Sequence, residues 1–392
     1  MNVRAERFPL MDSLRAIAAL SVLAFHAAFF AGMYTSDSVL RPYLAQPGVG
    51  VAVFFAISGF LLYRPFVRAR LAGEPRPATG PYAWRRFLRI APAYWLALTV
   101  VAIWLSLEVV VDPAWHVPLF YGFAQIYTAE TSLSGLGPAW TLCVEVTFYA
   151  FVPLWAFALR GRGARADLLA LAGLALASVA WKLFATHHVD PSSLDSGPWL
   201  MPLPNFLDQF AAGMALAVVS ARGAPAWLEA AARRAWPWWL AAAVAYWALC
   251  TRIGLDGRLG EGVRPGEFML RHELEIAVAA GLLVPAVFAF ERRDGVRRVL
   301  GFGPLLYLGV VSYGIYLWHE PLVRKIAAGT SDWLTDSLGL GVNARFAALF
   351  ALTLAAATAV ASASYHLVER RALSLKRLVG PAPEPASTIA PG

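Results

Sequence analysis

Three ionisable side chains lie inside long apolar stretches of this sequence, where a charge is costly. Arg15 and His26 occur in LRAIAALSVLAFH, and Glu145 occurs in GPAWTLCVEVTFY. A charge at the centre of a bilayer costs at least about 2.5 kcal/mol, so such residues usually have a partner or a function. In a helix, Arg15 and His26 share one face about 16 Å apart. An imidazole titrates near neutral pH, which suits a general base.

A second group of polar residues lies near the predicted outer ends of other apolar stretches. The segment SYGIYLWHEP carries Tyr313, Tyr316 and His319. An interfacial aromatic belt explains tyrosine and tryptophan in such places without any function. We expect Glu145 and His319 at depths similar to that of His26, and therefore predict a polar chamber in the outer half of the membrane.

A cluster of arginines offers a different chemistry. Arg85, Arg86 and Arg89 occur in RRFLRI, and Arg85 and Arg89 share a face if this segment begins a helix. Guanidinium groups bind phosphate through two parallel hydrogen bonds, so the cluster suggests a phosphate-bearing ligand. Contact with anionic lipid is the alternative for basic loops in general. No P-loop or dinucleotide fingerprint accompanies the cluster, which disfavours ATP and NAD.

The elements that position these residues are transmembrane helices. Of the 392 residues, 59% are hydrophobic and only 15% are charged, which excludes an ordinary soluble protein. With two cysteines, a disulfide-stapled scaffold is excluded as well. We predict an all-α integral membrane protein with about ten spans, long enough at about 20 residues each. The predicted spans are 14–33, 48–66, 90–110, 138–159, 166–186, 203–220, 235–250, 274–290, 303–323 and 344–368.

The distribution of basic residues predicts the orientation of these spans. Most Lys and Arg residues fall in alternate connecting segments, and the positive-inside rule places those segments and both termini in the cytoplasm. The formal charge of +8 is thus explained by topology, and we predict no nucleic-acid partner. Segment 114–129 is left out, because counting it would place basic segments outside. We predict one transmembrane domain over 1–379 and a disordered, Pro-rich cytoplasmic tail over 380–392.

The order and spacing of these motifs resemble those of the membrane acyltransferase-3 family of bacterial O-acyltransferases. MDSLRAIAALSVLAFH resembles the opening Arg and His signature of the family, through Arg15 and His26. RRFLRI resembles its RRxxR motif, and PAWTLCVEVTFY resembles its Trp to Glu motif through Trp140 and Glu145. GVGVAVFFAISGFLL resembles its second-helix motif through Ser58, Gly59 and Phe60, the residues SGF. FLDQFAAGMALA, SYGIYLWHEP and YHLVERR are weaker similarities. The chain is similar to the stand-alone type, without an additional hydrolase-like domain.

The resemblance implies transfer of an acetyl or other short acyl group from cytoplasmic acyl-CoA to a hydroxyl group, at the bacterial inner membrane. The acceptor is then a carbohydrate, such as a cell-envelope polysaccharide or glycolipid, or a hydroxylated metabolite. In this interpretation His26 and Glu145 are the candidate catalytic residues. Further residues would bind acyl-CoA, namely Arg15, Arg85, Arg86 and Arg89. Others would shape the cavity, namely Ser58, Trp140, Tyr313, Tyr316 and His319.

Several alternatives stay open on the sequence. A transporter or flippase with a proton-coupled polar pathway would also explain Arg15, His26 and Glu145. The sequence does not determine whether His26 or Glu145 is the base. It also leaves open the identity of the acceptor, the acyl chain length and the oligomeric state. We expect no bound cofactor, and we expect acyl-CoA, in the first instance acetyl-CoA, as the co-substrate. We also expect no metal, since no H-E-x-x-H or C-x-x-C spacing occurs.

Overall fold

The chain folds into helices joined by short connecting segments. A computed structural model describes residues 8–253 and 264–379, and these residues contain no β-strand. The longer helices are α1 (Leu10–Phe30), α2 (Gly48–Leu71), α3 (Thr79–Trp104), α4 (Trp140–Ala158), α5 (Ala164–His188), α6 (Leu207–Arg222), α7 (Ala235–Thr251), α8 (Pro265–Val287), α9 (Gly303–Val310), α10 (Ser312–Asp332) and α11 (Val342–Ser364).

The all-α membrane class is confirmed. Six described helices are long and apolar enough to cross a bilayer, or seven if a helix pair bent by 113° over 203–232 counts as one broken span. The number of ten spans and the cytoplasmic termini stay predictions. The predicted tail, 380–392, lies outside the described residues.

The helix boundaries differ from the predicted spans in two places that matter for the site. Helix α3 begins at Thr79, so Arg85, Arg86 and Arg89 lie within a helix. The predicted span 303–323 is interrupted at Val311 between α9 and α10. Gly309 at this break lies against the backbone of α1, where an added Cβ would approach the carbonyl oxygen of Asp12 to 1.9 Å. Close packing on α1 therefore accompanies the break.

The segment 114–129 does not form a long helix. It contains a helix of six residues, His116–Tyr121, followed by a single 3-10 turn, Gln125–Tyr127. Six helical residues extend about 9 Å, much less than the hydrocarbon core of a bilayer. Leaving this segment out of the predicted spans agrees with the structure.

Helix α2 packs at the centre of the bundle, against α6. A Cβ on Gly59 would lie 2.3 Å from the carbonyl oxygen of Phe210, and one on Gly213 would lie 1.9 Å from that of Ala56. Glycine lets two backbones approach this closely because it has no side chain. The sequence analysis had associated both SGF and FLDQFAAGMALA with the family, and the structure brings these two segments together.

Two buried ion pairs add polar contacts between helices. The ammonium of Lys182 in α5 donates to the Asp208 carboxylate at the start of α6, and both side chains are buried. Arg70 at the end of α2 donates to Asp167 in α5, which also accepts a hydrogen bond from Tyr63 at 2.8 Å. Pairing compensates the charges, because an unpaired buried charge is strongly destabilising.

Candidate active site

A narrow cavity lies between α1, α2, α3, α4 and α10, and we call it the arginine cavity. Its volume is about 100 Å³. Arg15 enters from α1, Arg86 and Arg89 from α3, and Glu145 from α4. The remaining predicted site residues that line it are Ser58, Tyr313 and Tyr316. The structure thus gathers, from five helices, many of the polar residues that the sequence analysis selected.

Ser58 and Glu145 form a contact that the sequence did not reveal. The Ser58 hydroxyl donates to Oε1 of Glu145 at 2.7 Å. Arg15 donates to Asp12 at 2.9 Å and lies within electrostatic reach of both Glu145 and Arg89. Sequence reasoning found no base beside Ser58, because its partner lies 87 residues further along the chain. Glu145 is therefore the anion among the cations of this cavity.

Arg89 has a carboxylate neighbour that was not among the predicted site residues. Nη1 of Arg89 lies 3.9 Å from Oε2 of Glu369, and the guanidinium lies 6.0 Å from the centroid of the Tyr313 ring. Tyr313 in turn donates to the carbonyl oxygen of Ile90 at 2.8 Å. Glu369 is 2% exposed. Its sequence signal was the segment YHLVERR, which had been noted only as a weaker similarity.

Arg85 does not join the other two arginines. It is exposed on α3, whereas Arg86 and Arg89 line the cavity. Arg85 and Arg89 both lie in α3, four residues apart, but of the three arginines only Arg86 and Arg89 line the cavity. A role for Arg85 in binding acyl-CoA stays a prediction.

A second cavity, of about 400 Å³, contains His26, and we call it the His26 cavity. Trp140 lines it beside His26, and Val51 and Tyr316 line both cavities. The two cavities are thus neighbours, with Val51 and Tyr316 between them. Tyr316 is fixed in place, because its hydroxyl lies 2.8 Å from Oγ1 of Thr141 and donates to the carbonyl oxygen of Pro138 at 3.0 Å.

His26 is paired with His319, and their hydrogen bonds assign the protons. Nδ1 of His319 lies 3.1 Å from the carbonyl oxygen of Ile315, so this nitrogen donates. Nε2 of neutral His319 must then accept, and it lies 3.1 Å from Nδ1 of His26. Nδ1 of His26 also lies 3.0 Å from the carbonyl oxygen of Val22, so it carries the proton. Nε2 of His26 keeps its lone pair, as a general base requires.

The predicted single chamber is therefore divided. Glu145 lines the arginine cavity, whereas His26 lines the other cavity and His319 is fully buried beside it. Helical depth alone placed Glu145 and His26 together, but the direction in which each side chain points depends on how α1 and α4 pack. Glu145 has no contact with either histidine in the described hydrogen bonds, which instead join it to Ser58.

The acyltransferase-domain family matches residues 9–362. The chain belongs to the membrane acyltransferase-3 family. It is accordingly a multi-pass membrane protein and an O-acyltransferase. No solved structure matches the chain.

Named relatives of this acyltransferase-3 chain extend over almost its full length. It is 27% identical to the acyltransferase MdmB of Streptomyces mycarofaciens, over 100% of the chain and 99% of the relative. It is 26% identical to nodulation protein 10 of Rhizobium leguminosarum bv. viciae, over 93% of each protein. It is 30% identical to the exopolysaccharide production protein ExoZ of Rhizobium meliloti, over 82% of the chain and 88% of the relative.

The acyltransferase-3 chain has further polar residues in the His26 cavity that sequence reasoning missed. They come from α8, from the start of α6 and from the turn before it, and they are Asn205, Gln209, Arg271, His272 and Glu275. Gln209 lies within the quoted segment FLDQFAAGMALA, and Asn205 directly precedes that segment. Residues 271–275 read RHELE, an unusually polar run beside a predicted span.

No group of three His, Cys, Asp or Glu side chains within residues 8–253 and 264–379 is arranged to hold a metal ion. The prediction that the enzyme uses no metal is not tested by this finding.

Proposed function

We propose that this protein transfers a short acyl group, acetyl in the first instance, from cytoplasmic acyl-CoA to a hydroxyl of a carbohydrate or hydroxylated metabolite of the cell envelope. The observation that supports it is the contact between a cationic cavity and a cavity that holds a basic imidazole, with Val51 and Tyr316 at their boundary. The names of two relatives, the exopolysaccharide production protein ExoZ and the peptidoglycan O-acetyltransferase OatA, support an acceptor of this class.

The arginine cavity suits the donor. Coenzyme A combines phosphate groups with a long, narrow pantetheine arm that ends in the thioester. Arg86 and Arg89 provide guanidinium groups for phosphate oxygens, and Nε of Arg86 is buried without a hydrogen-bond partner within the described chain. A volume of about 100 Å³ is too small for a nucleotide. The phosphates would therefore stay at the entrance, and the arm would extend toward Val51 and Tyr316.

His26 then acts on the acceptor hydroxyl. Its Nε2 lone pair takes the hydroxyl proton while the oxygen attacks the thioester carbonyl, and a new C–O bond forms. The C–S bond of the resulting tetrahedral intermediate breaks, and the departing thiolate takes the proton back from the imidazolium. The products are the acylated acceptor and free CoA. Because the Nδ1 proton is held by Val22 and His319, the ring presents the correct nitrogen as base.

Glu145 has a different role in this proposal. It lies among the arginines and accepts a hydrogen bond from Ser58, so it positions Arg15 and Ser58 along the path of the donor arm. A carboxylate also limits repulsion between the clustered guanidinium groups before the donor arrives. His26 is accordingly the base, and Glu145 is a positioning residue.

The orientation in the membrane follows from the same proposal. Arg86 lies near the start of α3, directly after a basic connecting segment that the positive-inside rule places in the cytoplasm. The donor would enter from that side of the inner membrane, with both termini on it, and the acceptor would reach His26 from the other side. The acyl group would then cross the bilayer at the boundary of the two cavities.

The decisive experiment measures release of free CoA by the purified protein in nanodiscs, with acetyl-CoA as donor and a set of p-nitrophenyl glycosides as acceptors. We expect His26→Ala to lower kcat by about 10²- to 10⁴-fold, the usual contribution of a general base. His187→Ala is the matched control, because His187 is exposed and lines neither cavity. Equal turnover by wild type and His26→Ala would contradict the assignment of the base.

A sidedness assay tests the path of the acyl group. The protein is reconstituted into sealed vesicles, with acetyl-CoA on one side only and the glycoside on either side. Product formed across the membrane supports transfer between the cavities. If product appears only when both substrates share a side, both approach from the same face and the proposed path is wrong.

A further inference from the structure

Three uncharged polar side chains lie in the wall of the His26 cavity. Asn205 lies in the turn before α6, Gln209 in its first turns, and His272 in α8. They are 1%, 1% and 6% exposed, and all three line the cavity. They converge from two elements on the space that also borders the base.

Four polar atoms of these side chains lack a hydrogen-bond partner within the described chain. They are Oδ1 and Nδ2 of Asn205, Oε1 of Gln209 and Nδ1 of His272. Buried polar groups are almost always hydrogen-bonded, and leaving one unpaired costs free energy. A cluster of unpaired atoms along one cavity therefore indicates a ligand that supplies the partners. Asn205 alone offers a donor and an acceptor, and hydroxyl groups satisfy both.

The charges of this wall are already paired. Nε of Arg271 donates to Oε1 of Glu275 at 3.1 Å, and Nε2 of Gln209 donates to the other carboxylate oxygen at 3.2 Å. Behind them, Lys182 pairs with Asp208. Among the described lining residues of the His26 cavity, Arg271 and Glu275 are the only Lys, Arg, Asp or Glu. Unlike the arginine cavity, this cavity has no excess of positive charge for an anion.

Aromatic rings complete the wall. The ring of His272 lies between Phe206 and Phe268, with centroids 5.6 and 4.8 Å away, and the ring of Trp140 lies 5.4 Å from that of Phe206. Small-molecule sites typically combine such apolar surfaces with a few convergent polar groups. Flat rings suit the C–H face of a saturated sugar ring, while amides suit the hydroxyl groups at its edge.

We infer that the His26 cavity selects an uncharged, polyhydroxylated ring as acceptor, and that Asn205, Gln209 and His272 are its specificity-determining residues. The inference rests on the proposed function, since it takes His26 to be the base that activates one hydroxyl of this ring. The other hydroxyl groups would satisfy the unpaired atoms of Asn205 and Gln209. An acceptor ring with a carboxylate would find the positive charge of Arg271 already occupied by Glu275.

A binding experiment tests this without relying on turnover. Saturation-transfer difference NMR is recorded for the protein in nanodiscs with methyl α-D-glucopyranoside, methyl β-D-galactopyranoside or methyl α-D-glucuronate. We expect transfer to at least one neutral glycoside and at least fivefold less to the glucuronate. Asn205→Leu and Gln209→Met, which keep the size of each side chain, should each weaken binding about tenfold.

The matched control is Thr353→Val. Oγ1 of Thr353 is likewise buried and unpaired within the described chain, but Thr353 lies in α11 and lines neither cavity. Its removal should leave sugar binding unchanged. No transfer to either neutral glycoside, stronger transfer to the glucuronate, or equal binding by all variants would overturn the inference. Circular dichroism measures whether each variant is folded. If Asn205→Leu does not fold, Gln209→Met still tests the inference.

CoA release in the same nanodiscs separates this inference from the proposed function. Sugar binding that depends on Asn205 and Gln209 without any acetyl-CoA turnover would contradict the acyltransferase mechanism but retain the sugar site. Turnover that depends on His26 without a preference for neutral rings would contradict the sugar site but retain the acyltransferase mechanism.

Discussion

The two cavities differ in charge and in size, although α1, α2, α4 and α10 line both of them. The arginine cavity holds Arg15, Arg86 and Arg89 in about 100 Å³, whereas the His26 cavity holds about 400 Å³ and its charges are paired. In the proposed function, the smaller, cationic cavity would bind acyl-CoA, whose phosphates are anionic, and the larger cavity would bind an uncharged ring. The two substrates would then meet near Val51 and Tyr316.

Helix α1 shows how one element serves both cavities. Arg15 and His26 lie on the same face, and each lines a different cavity. In helix α4, Glu145 lines the arginine cavity and Trp140 lines the His26 cavity. Because α1 is a continuous helix, the separation of Arg15 and His26 along its axis is set by the helical rise. In the proposed function, this rise would fix the distance between the donor site and the base.

The largest expected effect on a KM tests whether the two cavities bind different substrates. We expect Arg86→Gln combined with Arg89→Gln to raise the KM for acetyl-CoA about 100-fold and to leave the KM for the acceptor unchanged, because hydrogen bonds to charged groups contribute about 1.5–3 kcal/mol each. Steady-state kinetics with each substrate varied in turn measures both constants.

The control for this change is Arg162→Gln, an exposed arginine between α4 and α5 that lines neither cavity. Arg85→Gln, also exposed, shows whether the third arginine of the motif contributes, and we expect a smaller effect because surface charges are screened. A rise in the acceptor KM in place of the donor KM would reverse the assignment of the two cavities.

The next effect tests whether both cavities depend on the close packing of α2 against α6. In Gly213→Ala the new Cβ would lie 1.9 Å from the carbonyl oxygen of Ala56 and would push α2 away from α6. We expect a loss of about 2–3 kcal/mol of stability, in the range of overpacked cores, and weaker binding of donor and acceptor together. Thermal unfolding in detergent, followed by circular dichroism, measures the stability.

Gly173→Ala in α5 is the control, since its Cβ would meet no atom within 4 Å. Alanine favours a helix over glycine, so this variant should be as stable as the wild type or slightly more so. If Gly213→Ala were equally stable, the close contact between α2 and α6 would not be required for the site.

The smallest effect concerns the histidine pair. His319→Leu removes the acceptor that fixes the Nδ1 proton of His26, so we expect kcat to fall about tenfold while the KM for acetyl-CoA stays the same. His319→Gln, whose amide oxygen accepts a hydrogen bond, should recover most of the rate. Equal losses in both variants would indicate that His319 only fills space beside His26.

Much of the site was visible in the sequence, because the bilayer makes certain residues conspicuous. Arg15, His26 and Glu145 were selected since charge and polarity are rare within apolar helices. The inward orientation of Arg15 and His26 on one face of α1 followed from helical periodicity. The arginine motif predicted phosphate recognition, which stays a prediction, and in the structure Arg86 and Arg89 of α3 line a cavity.

Other features needed the packed structure. The sequence suggested one chamber, but α4 directs Glu145 to Ser58 and not to His26. Arg85 was grouped with Arg89, yet the packing of α3 leaves it exposed. Gln209 and Glu369 lie in segments that were only weakly similar to the family, and Asn205 adjoins one of them, so their burial was needed to single them out.

The sequence by itself determined the membrane class, the apolar helices and the residues able to do chemistry, because hydrophobic length and helical periodicity are local properties of the chain. Only the tertiary structure decided which of those residues meet. The partners of Ser58 and His26 lie 87 and 293 residues away. Contacts over such separations depend on the side-by-side packing of helices, and helical periodicity does not specify which helices become neighbours.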